Sequence, residues 1–133
     1  MMRVSKFWIK VFFCIYIAAI CILCFIKPDG VPDVQLALLG IPADKIVHFC
    51  MFAPFTVLAF QAFSTARIRE SKKMNIALLT ILLVLGAGVA YATERIQGLT
   101  GYRSYEIADF YADLIGLSGG AAVVLIHRFI KGK

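Results

Sequence analysis

Charge is what this sequence has least of. Asp, Glu, Lys and Arg make up 17% of its 133 residues, and acidic residues are the scarcer sign, 8 against 14 Lys and Arg. An average soluble domain carries about a quarter charged residues. The shortage excludes an ordinary water-soluble domain, because 61% of the chain is hydrophobic and its mean hydropathy is +0.85. A second scarcity concerns cysteine chemistry. Cys14, Cys21, Cys24 and Cys50 all lie inside apolar runs, so no disulfide framework is implied. Cys21 and Cys24 have CxxC spacing, but no histidine or second CxxC is near them, and they read as small hydrophobes in a membrane helix. A cleavage site is missing too. Residues 1–10 are basic and residues 11–26 apolar, yet no small-x-small pattern follows, and Ile20 is too large before Cys21 for a lipoprotein signal. The segment is therefore expected to stay as a membrane anchor. There is no internal repeat and no low-complexity linker, and the length allows one domain, residues 1–133.

What is present is a set of four long apolar runs separated by three short polar stretches, the pattern of membrane helices. They predict helices over residues 7–26, 44–64, 74–94 and 107–129. The expected fold class is all-α, a polytopic four-transmembrane-helix bundle. Pro28, Gly30 and Pro32 end the first helix, and Pro54 is expected to kink the second. Residues 34–39 are apolar but cannot span about 30 Å of hydrocarbon, so they are expected to lie on the membrane surface. The net charge of +6 points to topology rather than to nucleic acid, because the basic residues gather at the chain ends and in one loop. Arg3, Lys6, Lys10, Arg67, Arg69, Lys72, Lys73, Arg128, Lys131 and Lys133 fall on one side of the four spans; Lys27, Lys45, Arg95 and Arg103 fall on the other. The positive-inside rule then puts the first side, with both termini, in the cytoplasm.

Acidic residues do the opposite. Only Glu70 is on the basic side, and the rest collect toward the other ends of the helices. Asp44 and His48 are four apart and share a helix face; Glu94 and Gln97 are three apart; Asp109 and Asp113 are four apart. An ionisable side chain at the bilayer centre costs about 2.5–3.5 kcal/mol on insertion scales, so these groups are expected to turn toward each other. One reading is structural: Asp44 caps the second helix, and the carboxylates pair with Lys45, Arg95 and Arg103. The other is a working site, with Asp44, His48, Glu94, Asp109 and Asp113 as candidate catalytic groups and Lys45, Gln97 and Arg103 as candidate ligand-binding groups. Carboxylates and one imidazole can do acid–base work or hold a divalent cation, and the nearby cations can hold a lipid phosphate. Histidine titrates near physiological pH, which suits His48 to proton transfer. His127, at the opposite end, reads as interfacial. Ala112, Gly116 and Gly120 form a small-xxx-small seam one position out of register with Asp113, expected to pack closely on a neighbouring helix. The pattern names no particular metal or cofactor.

At these residues the sequence resembles the VanZ-like family. Two blocks carry the resemblance: Asp44-Lys45-x-x-His48, and Glu94-x-x-Gln97 followed by Arg103 and Asp109-x-x-x-Asp113-x-x-Gly116-x-x-x-Gly120. It covers residues 44–120. Where this chain has Asp113, the family often has Asn. The resemblance implies a small multi-helix protein of the bacterial inner membrane, in a family whose namesake is linked to low-level resistance to the glycopeptide teicoplanin. The expected function is action on cell-envelope material at the outer face, with the lipid bilayer and a lipid-linked precursor or phosphate carrier as partners and no nucleic acid. Two rivals stand beside it: a non-catalytic membrane assembly factor, and a carrier or flippase subunit that would have to form a homo-oligomer.

Overall fold

Each of the four apolar runs becomes a helix long and apolar enough to cross a bilayer. The computed structural model describes residues 5–25, 35–36, 40–101 and 105–131. The elements are α1 (Lys6–Phe25), β1 (Gln35–Leu36), β2 (Ile41–Pro42), α2 (Ala43–Phe63), α3 (Ala66–Glu70), α4 (Lys72–Leu99) and α5 (Ile107–Lys131). At 1.5 Å per residue the shortest span, α1, is about 30 Å long and α4 about 42 Å. The chain is thus an all-α, multi-pass membrane protein. The two strands are a minor feature, a two-residue antiparallel pair with Leu36 opposite Ile41. They fall at the edge of the stretch expected on the membrane surface; residues 34 and 37–39 of that stretch lie outside the described residues, as do Pro28, Gly30 and Pro32.

The main departure from the expected boundaries is α4, which starts two residues earlier and ends five later than residues 74–94. Local chemistry explains both ends. Ser71 caps the start, its hydroxyl accepting from the Met74 amide, while Asn75 Nδ2 donates to the Ser71 carbonyl at 2.8 Å. At the other end Thr100 caps the helix and donates its hydroxyl to the Gln97 carbonyl at 2.7 Å. The helix therefore continues through Glu94 and Gln97 instead of ending there, because both side chains are buried within the bundle. The short helix α3 is unforeseen: Thr65 accepts from the Ile68 amide and opens it, and Ser71 closes it. Two capping residues six apart turn the chain between two spans.

Helix α2 is the centre of the bundle. It packs most extensively on α5, and less on α4 and α1. Phe52, Phe55, Ala59 and Phe60 from α2 meet Leu79, Leu82 and Ala90 from α4 and Leu117, Ala121 and Val124 from α5. Helix α1 lies outside, burying only Ile20 and Cys24. The outer surfaces of all four spans are apolar, with Trp8, Phe12, Ile15, Val84, Leu85, Ile115 and Ile126 exposed. Lipid is the only solvent that suits such a surface. Cys14, Cys21 and Cys50 are exposed on it as well.

Lipid tails are as apolar as leucine, so a hydrophobic drive cannot hold the spans together; close packing and interhelical hydrogen bonds must. Both are visible between α2 and α5. A Cβ added at Gly116 would stand 2.6 Å from the Phe49 carbonyl oxygen, and one at Gly120 would stand 2.4 Å from that of Ala53. Those separations are impossible for any side chain, so the two backbones touch where glycine permits it. Ala112, first in the seam, is half-buried. Thr56, fully buried on α2, donates to the Leu117 carbonyl at 2.9 Å. On the far side, Tyr16 of α1 donates to the Met51 carbonyl, and α2 runs on through Pro54 as one helix.

The two ends of the bundle differ in charge. Lys6 donates to the Ser64 carbonyl, Arg69 Nε donates to Ser64 Oγ at 2.9 Å, and Arg128 donates to the Arg69 carbonyl at 2.5 Å, so one end is basic. The other end gathers Asp44, Glu94, Glu106, Asp109 and Asp113. Gly120→Val is expected to force α5 off α2 at a cost of about 1–3 kcal/mol or above, because backbone cannot yield as a side chain can. Thermal unfolding in detergent should show a lower midpoint for it and an unchanged or higher one for Gly119→Ala, where an added Cβ meets nothing within 4 Å and alanine favours the helix.

Candidate functional site

Three helix ends build the acidic end of the bundle: the first turns of α2, the last turns of α4 and the first turns of α5. Their common point is His48. It projects from α2 into the bundle and is 2% exposed. Its Nδ1 lies 2.9 Å from Asp113 Oδ1 of α5. With Asp113 ionised, the ring donates Nδ1–H to it, which leaves Nε2 as the second position. That nitrogen lies 3.6 Å from Asp109 Oδ2 and 3.9 Å from Glu94 Oε1. The seam explains the meeting. Gly116 and Gly120 draw α5 onto α2, and Asp113, one turn before Gly116, arrives against the ring.

Lys45 organises a second layer nearer the surface. Its ammonium donates to Asp44 Oδ2 at 2.8 Å, to Glu106 Oε2 at 2.5 Å and to Asp109 Oδ1 at 2.5 Å. An ammonium has three N–H donors, and all three are engaged. Lys45 thus neutralises carboxylates of its own chain, where a ligand-binding role had been assigned to it from the sequence. Asp109 belongs to both layers, one oxygen on Lys45 and the other facing His48. Glu94 is tied from the α5 side, its Oε2 accepting from the Glu106 amide at 3.4 Å. Glu94 and Asp113 are both fully buried, and each has one carboxyl oxygen, Glu94 Oε1 and Asp113 Oδ2, without a hydrogen-bond partner among the described residues.

The sequence-based assignments separate in the folded protein. Asp44, His48, Glu94, Asp109 and Asp113 come together. Asp44 does so from within the first turn of α2, which begins at Ala43, so its carboxylate serves Lys45 instead of capping the helix. Gln97 points elsewhere: it is buried, and its amide Nε2 donates to the Cys24 carbonyl of α1 at 2.6 Å. It joins two spans. Arg103 lies outside the described residues. Arg95, expected to pair with carboxylates, lies over the Tyr105 ring at 5.7 Å. Glu106 is the residue that sequence reasoning left out of the site. Its signal was present, an acidic side chain one residue before a helix start, but spacing alone does not say that it reaches across to Lys45. His127 is exposed at the basic end, away from the cluster.

Among the described residues, two groups have the composition to hold a metal ion. His48, Glu94 and Asp109 each offer one ligand atom, all within 4.8 Å of one another, and so do Asp44, Glu106 and Asp109. The second group already surrounds the Lys45 ammonium; the first surrounds no ammonium or guanidinium among the described residues. The arrangement suits acid–base chemistry at His48 Nε2 or coordination by the inner triad. A cleft of about 520 Å³ opens at the basic end between Arg69, Lys72, Asn75 and Arg128, on the other side of the bundle from all these groups.

Gln97→Ala is expected to remove a buried bond between α4 and α1 worth about 0.5–1.5 kcal/mol, lowering the thermal midpoint in detergent. The His48 cluster should keep whatever activity it has in that variant, since no atom of Gln97 is bonded to it.

Compared with known proteins, the chain matches no family model, no curated protein sequence and no solved structure. Function therefore has to be read from the cluster itself.

Proposed function

We propose that the chain is a VanZ-like protein of the bacterial inner membrane, with both termini in the cytoplasm, that acts at its outer face on a lipid-linked cell-envelope precursor or its phosphate carrier. The observation that carries this reading is the convergence on His48. Two sequence blocks that resemble the family are separated by the rest of α2 and most of α4, two crossings of the membrane. Asp44, Lys45 and His48 come from the first, Glu94, Asp109 and Asp113 from the second, and all six lie in one network.

Cost supports a working role. Breaking a buried ion pair leaves a stranded charge and costs about 3–5 kcal/mol, and well-packed apolar residues usually serve stability as well or better. A chain that needed only to join three helix ends would not require five carboxyl groups around one imidazole and one ammonium. Nor would it leave Glu94 Oε1 and Asp113 Oδ2 without partners. Buried ionisable groups in a membrane protein are by default candidates for binding and proton transfer. A lipid-borne substrate suits the surroundings. An apolar groove of about 340 Å³ runs between α1 and α2, lined by Ile20, Leu23, Ile46, Val47 and Cys50, next in sequence to His48.

The orientation rests on charge. The basic end carries Lys6, Arg67, Arg69, Lys72, Lys73, Arg128 and Lys131, and the positive-inside rule assigns it to the cytoplasm. Reporter fusions at both termini should be active only as cytoplasmic fusions, and a cysteine placed at Glu106 should react with a membrane-impermeant thiol reagent added from outside. Labelling of that cysteine only after the membrane is opened would reverse the assignment.

The functional reading is tested with His48→Ala, Glu94→Gln and Asp109→Asn in a host lacking its own copy, scoring glycopeptide susceptibility beside the amount of protein in the membrane. The expected outcome is normal abundance with loss of the wild-type phenotype. Abundance that collapses together with the phenotype would make the cluster a structural junction and favour the assembly-factor role instead.

A further inference from the structure

We propose that His48, Glu94 and Asp109 hold a divalent transition-metal ion between α2, α4 and α5. Such a metal site rests on the reading of this cluster as the working site, and it specifies what that site binds.

Each of the three residues has one polar atom fixed by a neighbour and a second turned to a common centre. His48 Nδ1 is held by Asp113 Oδ1 at 2.9 Å, Asp109 Oδ1 by the Lys45 ammonium at 2.5 Å, and Glu94 Oε2 by the Glu106 amide at 3.4 Å. The atoms left over are His48 Nε2, Asp109 Oδ2 and Glu94 Oε1. The nitrogen stands 3.6 Å from one oxygen and 3.9 Å from the other. These distances are too long for hydrogen bonds. They are close to what a shared metal requires: bonds of about 2.0–2.2 Å at angles between tetrahedral and trigonal put ligand atoms about 3.3–3.7 Å apart. A contraction of a few tenths of an ångström would bring both nitrogen–oxygen distances into that range, and the three ligand atoms all lie within 4.8 Å of one another.

A second observation points to a ligand independently of that spacing. Glu94 is 0% exposed, and its Oε1, the atom facing His48 Nε2, has no hydrogen-bond partner among the described residues. A carboxyl oxygen in that position calls for a cation or a donor, whether the group is ionised or neutral. Charge favours the cation. Asp44, Glu94, Glu106, Asp109 and Asp113 face one ammonium and one imidazole. The outer carboxylates have Lys45 among them, which is why the Asp44, Glu106 and Asp109 triad carries no metal proposal. In the inner triad only Asp109 touches Lys45, through its other oxygen, and among the described residues no ammonium bonds Glu94 Oε1 or Asp109 Oδ2.

The donor set narrows the ion. One imidazole with two carboxylates suits zinc, manganese or ferrous iron, whereas magnesium and calcium take oxygen ligands alone. Asp113 is a positioning residue here. Carboxylates that accept from a ligand histidine fix its tautomer and raise its basicity, and their loss typically costs 10–100-fold in metal affinity. Three protein ligands leave one or more coordination positions for water or an anionic oxygen, and a phosphate on a lipid carrier has the chemistry to fill one.

The test uses the full chain with a tag free of histidine, purified in detergent, with bound metal measured by mass spectrometry. About one equivalent of zinc, manganese or iron per chain is expected for wild type, as for a site that is part of the fold. Glu94→Gln and Asp109→Asn should each retain less than a tenth of that metal, Asp113→Ala, which removes the acceptor for His48 Nδ1–H, should bind it about 10–100-fold more weakly, and Glu70→Gln at the basic end should match wild type. Because the ligand variants also disturb a buried network, wild type is tested by itself. Chelation should lower its thermal midpoint, and Zn²⁺ or Mn²⁺, but not Mg²⁺, should restore it. A wild-type chain that purifies without metal and does not respond to Zn²⁺, Mn²⁺ or Fe²⁺ overturns the proposal. So does a Glu94→Gln, Asp109→Asn double variant that retains the full metal content. The functional reading fails separately. Ligand variants that lose the metal yet keep the wild-type phenotype would remove the role in the envelope and leave the metal site intact.

Discussion

The acidic end of this protein depends on the distance between two backbones. Gly116 and Gly120 let α5 approach α2 so closely that a methyl group at either position would collide with the Phe49 or Ala53 carbonyl. That approach sets the position of Asp113, one turn before Gly116, and so fixes where the His48 ring can point. It also brings Asp109, one further turn along α5, over Lys45 and the outer side of the ring. Thr56 reinforces the same contact with a buried bond to Leu117. In a membrane, where lipid competes on equal terms for apolar side chains, backbone-to-backbone packing of this kind is one of the few forces that can specify such a register. The seam and the polar cluster are therefore parts of one device. The small residues supply the proximity, and the cluster uses it.

Proximity also makes the cluster tolerable. Ionised groups near the hydrocarbon cost several kcal/mol each when isolated, and here α2, α4 and α5 all deliver them to the same few ångströms. Lys45 engages three carboxylates at once, and His48 is within 4 Å of three. Helix α1 takes no part in this network. At the acidic end it is joined to α4 through Gln97 and the Cys24 carbonyl, so one polar residue of α4 serves the packing while Glu94, three positions earlier, serves the cluster. At the basic end the logic differs. Lys6, Arg69 and Arg128 donate to backbone and hydroxyl oxygens, which satisfies the carbonyls around the turn between α2 and α4 without any carboxylate.

Much of this was legible in the sequence, and the reasons are specific. The four spans follow from runs of apolar residues, a signal that needs no tertiary information. The same-face pairs Asp44–His48 and Asp109–Asp113 follow from helical spacing, and the offset between Asp113 and the glycine seam correctly implied that Asp113 would meet a neighbouring helix. Asp or Asn at that position can each accept from His48 Nδ1–H, so the departure from the resembling family leaves the contact possible. Other features were not legible because they depend on what lies across the bundle. Spacing put Gln97 on the Glu94 face, but one turn of helix is enough to aim it at α1 instead. The end of α4 was set too early because polar residues were read as a boundary, when burial of Glu94 and Gln97 lets the helix continue. The helix α3 was missed because five residues between two caps leave no periodic pattern to detect.

Lys45 divides the cluster in a way that bears on its purpose. On the outer side every carboxylate it touches has a counter-charge at bonding distance, which is all that a structural junction needs. On the inner side the geometry is different. His48 Nε2, Asp109 Oδ2 and Glu94 Oε1 face one another at distances too long to satisfy one another and too short to be independent. A junction selected for stability alone would close that gap with a hydrogen bond or fill it with apolar side chains, since a half-satisfied buried network is worse than an apolar core. Three helices instead hold three donor atoms apart, each anchored through its other end. Anchoring of that kind restricts motion without satisfying the free atoms, and it is the arrangement a site requires when its missing partner comes from outside the chain.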